Sequence, residues 1–112
     1  MKVYQPIIFQ GNLNKNRYFE GWYFKHVSKD RNHVYSIIPG VALTKKDKHA
    51  FIQVIDGISG RTWNITYPLS EFRFSKKEFK VWVGQSNFSS SGINLDIETE
   101  ELKIKGEIEF SD

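Results

Sequence analysis

Gly92-Ile93-Asn94-Leu95-Asp96-Ile97-Glu98 is the stretch that decides the fold. Its apolar residues Ile93, Leu95 and Ile97 alternate with the polar residues Asn94, Asp96 and Glu98. Successive side chains of a strand point to opposite faces, so a period of two describes a strand with one face in a core and one in water. Leu102 to Phe110 repeats the pattern, with Leu102, Ile104, Ile108 and Phe110 opposing Lys103, Lys105, Glu107 and Glu109.

The same signal recurs upstream, bounded by turn residues. Residues 1–17 read as an irregular lead-in. Strands are predicted over Tyr18 to Val27, His33 to about Ile38, His49 to Asp56, Arg61 to Tyr67, Leu69 to Phe74 and Glu78 to Val83. Lys29 to Asn32 reads as a turn, Pro39-Gly40 as a strand end, Thr44 to Lys48 as a polar loop, and Ser86 to Ser91 as a Ser-rich connection holding Phe88. No long segment carries a helical repeat. The expectation is one all-β domain over residues 1–112, an antiparallel meander of about eight strands. Closing or curling such a meander into a barrel or half-barrel removes its exposed edges.

The early strands alternate differently. Trp22 and Phe24 share one face, while Phe19 and Tyr23 share the other; Ile52 and Val54 oppose Phe51 and Ile55. Both faces of these strands are expected to be covered by the lead-in, another domain, a second copy or a lipophilic ligand.

Composition narrows the class. The 112 residues fit one domain, and 39% hydrophobic with 26% charged residues is ordinary for a soluble globular chain. Aromatic residues reach 15%, which suits sheets. The chain has no cysteine, so disulfides and thiolate metal sites are excluded. No apolar run approaches the ~20 residues of a membrane-spanning helix, and the N-terminus lacks a signal-peptide core. The expected location is the cytoplasm or the membrane periphery. A net charge of +3 with dispersed lysines argues against a nucleic-acid partner.

Arg17-Tyr18-Phe19-Glu20-Gly21-Trp22-Tyr23-Phe24-Lys25 resembles a segment near the start of the tocopherol cyclase family. Phe9-Gln10-Gly11, Ser36-Ile37-Ile38-Pro39-Gly40, His49 to Val54, Tyr67 to Phe72, Gly92 to Ile97 and Gly106 to Phe110 continue the likeness in order. The Glu-x-Trp-Tyr core is also similar to carotenoid-hydratase-like and AttH-like proteins of lipocalin-like architecture. The resemblance implies a β-barrel for a prenylated, lipophilic substrate and closure of a chromanol ring from a prenyl benzoquinol. Family enzymes are considerably longer, so this chain is expected to form the N-terminal part of such a site. It would be completed by a C-terminal domain or a homodimer partner, with little or no turnover alone.

Ring closure of that kind needs a positioned acid and a dry cavity, and neither a metal nor an organic cofactor. Glu20 is the candidate acid, because it sits among aromatics; the other reading is a structural glutamate paired with Arg17 or Lys25. Trp22, Tyr23 and Phe24 are candidate pocket residues, against ordinary core packing. Ser36 and Gln53, polar within apolar strands, are candidate ligand hydrogen-bonders, against satisfied backbone contacts. Three scattered histidines do not make a metal site. A second function class stays open: a non-catalytic, lipocalin-like lipid carrier or a docking module.

Overall fold

In the computed structural model, which describes residues 2–3, 17–27, 33–44 and 47–109, the alternating stretches form eleven strands. They are β1 (Lys2–Val3), β2 (Arg17–Gly21), β3 (Phe24–Val27), β4 (Val34–Thr44), β5 (Lys48–Asp56), β6 (Thr62–Pro68), β7 (Phe72–Phe74), β8 (Lys80–Val83), β9 (Ser86–Ser89), β10 (Gly92–Glu98) and β11 (Lys103–Glu109). The strands make two antiparallel sheets. The first has the order β1-β3-β4-β5-β6, with β2 also paired to β4; the second runs β11-β10-β9-β8-β7. The expected single meander is thus split in two, and the described strands do not close into a barrel. A one-turn 3-10 helix, Leu69–Glu71, separates the sheets where a strand from Leu69 was predicted. β6 ends at Pro68, and β7 begins only at Phe72.

Pro39-Gly40 reads in sequence as a strand end, yet β4 runs through it to Thr44. The reason lies in hydrogen-bond direction. Trp22 N–H donates to the Pro39 carbonyl at 2.9 Å, so these two residues face each other in the ladder. Only the return bond, from the nitrogen of Pro39, is missing. Gly21 lies opposite Gly40 and Phe24 opposite Ile37, so the register is identical on both sides of the break. β2 and β3 are one strand in geometry, interrupted by one absent donor.

The two sheets share a core. Trp22, Phe24, Ile37, Val41, Leu43, Ala50, Ile52 and Val54 supply it from the first sheet. Phe72, Val81, Val83, Phe88, Ile93, Leu95 and Ile97 supply it from the second. Phe79, in the β7–β8 connection, joins them. Phe24 stacks on Phe88 with centroids 5.7 Å apart, and Trp22 lies 5.5 Å from Phe79. Each large apolar side chain removed from water contributes about 1.5–3 kcal/mol. Ser86–Ser89 is a strand and not the predicted connection, and Phe88 is fully buried. Serine has weak strand propensity, so tertiary burial of Phe88 decides the conformation. Of the lead-in expected to be irregular, Lys2–Val3 pairs with β3 and Arg17 opens β2; predictions for its other residues, for Lys29 to Asn32, for residues 45–46 and for Phe110 lie outside the described residues.

Two polar devices organise this frame. Ser86 is fully buried on the core side, where its Oγ accepts the Asp96 N–H at 2.9 Å. Asp56 opens the β5–β6 turn, its Oδ1 accepting the N–H groups of Ile58 at 2.9 Å and Ser59 at 3.2 Å. Those two donors hold its carboxyl below its ordinary pKa of 3.8. Gly60 completes the turn with φ +79°, a conformation open to glycine.

Ser86→Ala strands the Asp96 N–H in the interior and is expected to lower unfolding free energy by about 1–3 kcal/mol. The exposed Ser90→Ala should change it by less than about 0.5 kcal/mol; urea denaturation measures both. A carboxylate with a depressed folded pKa contributes stability above its unfolded value, and that contribution is lost as pH falls through the folded value. The stability difference between the native chain and Asp56→Ala is therefore expected to shrink as pH drops below 3.8. Urea titrations at neutral pH and near pH 2 measure that difference.

Candidate functional site

The core consumes one face of the first sheet and leaves the other to be explained. Alternation turns Trp22 and Phe24 inward, and Phe19, Gly21, Tyr23 and Lys25 outward. On β4 the outward residues are Ser36, Ile38, Gly40 and Ala42; on β5 they are His49, Phe51, Gln53 and Ile55. Cross-strand register aligns them in rows. Gly21, Gly40 and Phe51 form one row, and Ile38 and Gln53 lie next to each other in the row beside it.

Two glycines make the floor of this face. The Phe51 ring lies over Gly40, where an added Cβ would collide with that ring and with the Glu20 carbonyl. At Gly21 a Cβ would meet Ile38 Cγ2 at 3.4 Å and Phe51 Cζ at 3.7 Å. The absence of side chains at this pair lets the ring lie flat along the sheet, and Phe19 then stacks on it with centroids 5.4 Å apart and planes within 15°. His49 meets the edge region of the same ring at 6.5 Å. Phe19 remains 68% exposed, which is unusual for a residue so placed among other aromatics. Beside this cluster, Tyr23 Oη and Ser36 Oγ share a hydrogen bond of 2.8 Å. Tyr23 is 39% exposed, while Ser36 is nearly buried beneath it.

The six residues singled out from sequence therefore separate. Tyr23, Ser36 and Gln53 come together on the outward face. Trp22 and Phe24 are packed into the core, at 4% and 1% exposure. Glu20 is half-buried on the inward side, opposite Val41 in the ladder. It does not share a face with Tyr23, Ser36 and Gln53. Phe19, Gly21, Gly40 and Phe51 belong to the site but were not chosen from sequence. The signal that could have found them is the pairing of two glycines with an aromatic across three strands, which needs the register to be known. The outward face of these strands was expected to be covered, and the exposure of Phe19 and Tyr23 leaves part of it open.

Among the described residues, no cluster of His, Asp and Glu could hold a metal ion, and no helix is long and apolar enough to cross a membrane. The face as built can bind by stacking and apolar contact, with two hydroxyls and one amide to orient a polar group. The fold and this face define a two-sheet antiparallel β domain with an aromatic platform on its outer side. No family model, curated protein or solved structure matches the chain.

Gly40→Ala is expected to displace the Phe51 ring and cost about 1–3 kcal/mol, because a backbone carbonyl blocks relief on one side. Gly106→Ala serves as the control, since a Cβ there meets nothing within 4 Å. Comparing the thermal unfolding of the two variants measures the difference.

Proposed function

We propose that this chain is a lipophile-binding β domain of the tocopherol-cyclase-like kind, with the outward face of its first sheet as the binding surface. One observation carries the reading: Phe19, 68% exposed, stacks on Phe51 over the Gly21–Gly40 floor beside the Tyr23–Ser36 hydroxyl pair. Such a surface suits a ligand with a flat or extended apolar body and a small polar head, as in a prenyl benzoquinol. Phe19 and Phe51 would take the apolar part, and Tyr23, Ser36 and Gln53 the head.

Binding on this face favours a module without chemistry of its own. Glu20, the candidate acid, lies on the inward side of the strand, away from a ligand stacked on Phe19. General acid catalysis requires hydrogen-bond reach of the reacting atom. The half-barrel of the lipocalin-like likeness enters this proposal as two sheets facing one another across a shared core. Cyclisation, the chemistry of the family, would need an acid from elsewhere, such as a further domain.

Native mass spectrometry with an added prenyl benzoquinol tests the proposal. The expected result is a one-to-one adduct, weakened at least about tenfold by Phe19→Ser, a change at an exposed position that leaves the fold intact. No adduct with the native chain, or equal adducts with both, would overturn it. Chromanol formation by the native chain would overturn the non-catalytic part alone.

A further inference from the structure

Among the described residues the first sheet ends at β6, and the hydrogen-bond pattern shows what that edge offers. Asp56 N–H donates to the Arg61 carbonyl at 2.8 Å, so Asp56 and Arg61 are a directly bonded pair. Bonded pairs recur at every second residue, which assigns Trp63, Ile65 and Tyr67 to bonds with β5. The bond from Trp22 to Pro39, carried across β4 and β5, gives the same assignment. The N–H and C=O groups of Thr62, Asn64 and Thr66 consequently point away from the sheet. Among the described residues no strand pairs with them.

Among the described residues this edge lacks the usual protection. Edge strands are commonly blunted by charge, proline or shortness. β11, at the edge of the second sheet, carries Lys103, Lys105 and Glu107; β7 is three residues long. β6 is Thr-Trp-Asn-Ile-Thr-Tyr-Pro, seven residues without a charge and with proline only at its end. Its flank borders a cleft that the Arg61–Glu101 ion pair, 3.6 Å, spans at the start of β6. This cleft, of about 510 Å³, separates Thr62–Thr66 from the turn at Thr99, Glu100 and Glu101. Trp63 stands half-buried at that cleft, and its Nε1 has no hydrogen-bond partner.

The sequence of β6 is complementary to itself. A two-fold axis through Asn64 pairs two copies antiparallel. It sets Thr62 opposite Thr66 of the second copy, Trp63 opposite Ile65, and Asn64 opposite Asn64. Threonine pairs and aromatic–β-branched pairs are favourable cross-strand neighbours, and no like charges meet among them. We propose that β6 is a strand-pairing edge at which two copies of this chain join their first sheets into one continuous antiparallel sheet. Thr62, Asn64 and Thr66 then exchange backbone bonds across the axis, as a closed two-fold interface requires.

The chain has no cysteine, so single cysteines report the geometry cleanly. Directly bonded antiparallel partners have Cα atoms about 5.5 Å apart, within disulfide range. Asn64→Cys is expected to form an intermolecular disulfide under mild oxidation. Thr62→Cys, displaced from its own copy by roughly four residues, or ~14 Å, should not. Sedimentation of the native chain should show a dimer that dissociates on dilution. Thr66→Pro, which removes one outward donor and none of the bonds to β5, should weaken it at least about tenfold with thermal unfolding of the diluted monomer unchanged. A monomer at all concentrations would overturn the proposal. So would a dimer indifferent to Thr66→Pro, or equal crosslinking of both cysteine variants, which would place the contact elsewhere. Protection of the Thr62, Asn64 and Thr66 amides only on adding an extended peptide would assign the edge to a foreign strand and overturn it too.

Discussion

The stacked pair Phe24 and Phe88 holds the molecule to a single arrangement. Among the described residues no backbone ladder joins the two sheets, so side-chain contacts keep them face to face, with the exposed Arg61–Glu101 ion pair at 3.6 Å as a polar addition to the packed core. Phe24 touches Phe88 and Phe79, and Trp22 touches Phe79. Aromatic pairs contribute about 0.5–1.5 kcal/mol beyond the area they bury, and close packing makes their shape hard to substitute. Tyr67 adds a second tie: its ring lies where a side chain at Gly84, φ +59°, would be, so β6 meets the β8–β9 turn.

The rest of the molecule follows from that packing. Because Trp22 and Phe24 point into the core, alternation obliges Phe19 and Tyr23 to point out. Those outward residues gather into a platform only because glycines stand opposite each other at Gly21 and Gly40. A residue with a side chain there would lift the Phe51 ring and separate it from Phe19. Core and platform are thus two sides of one strand, and neither can be altered without respect to the other.

The sequence made the sheet character legible where alternation was clean. Ile93, Leu95 and Ile97 are all buried, and Asn94 and Glu98 are exposed. It was less legible where a local rule met a tertiary exception. Pro39 reads as a terminator, but its missing donor costs one bond in a strand paired on both sides. Ser86 to Ser89 reads as a linker, but Phe88 supplies a buried ring that draws the segment into the second sheet. The candidate site was half legible. Tyr23, Ser36 and Gln53 stood out as polar groups among apolar neighbours, whereas the glycine floor depends on a cross-strand register that two-sided apolar strands do not specify.

The order of strands carries a kinetic consequence. β3 to β6 are sequential neighbours in the first sheet, as are β7 to β11 in the second, and Leu69–Glu71 divides the two sets. Each sheet grows from adjacent hairpins whose loop-closure entropy is small. The Phe24–Phe88 contact is of another kind, since its partners come from opposite halves of the chain. Hairpin formation can therefore run independently in each half, and meeting of the halves is the step that carries the long-range entropic barrier. Truncation of core side chains at this seam would slow folding, whereas substitutions in the hairpin turns would act within one half at a time.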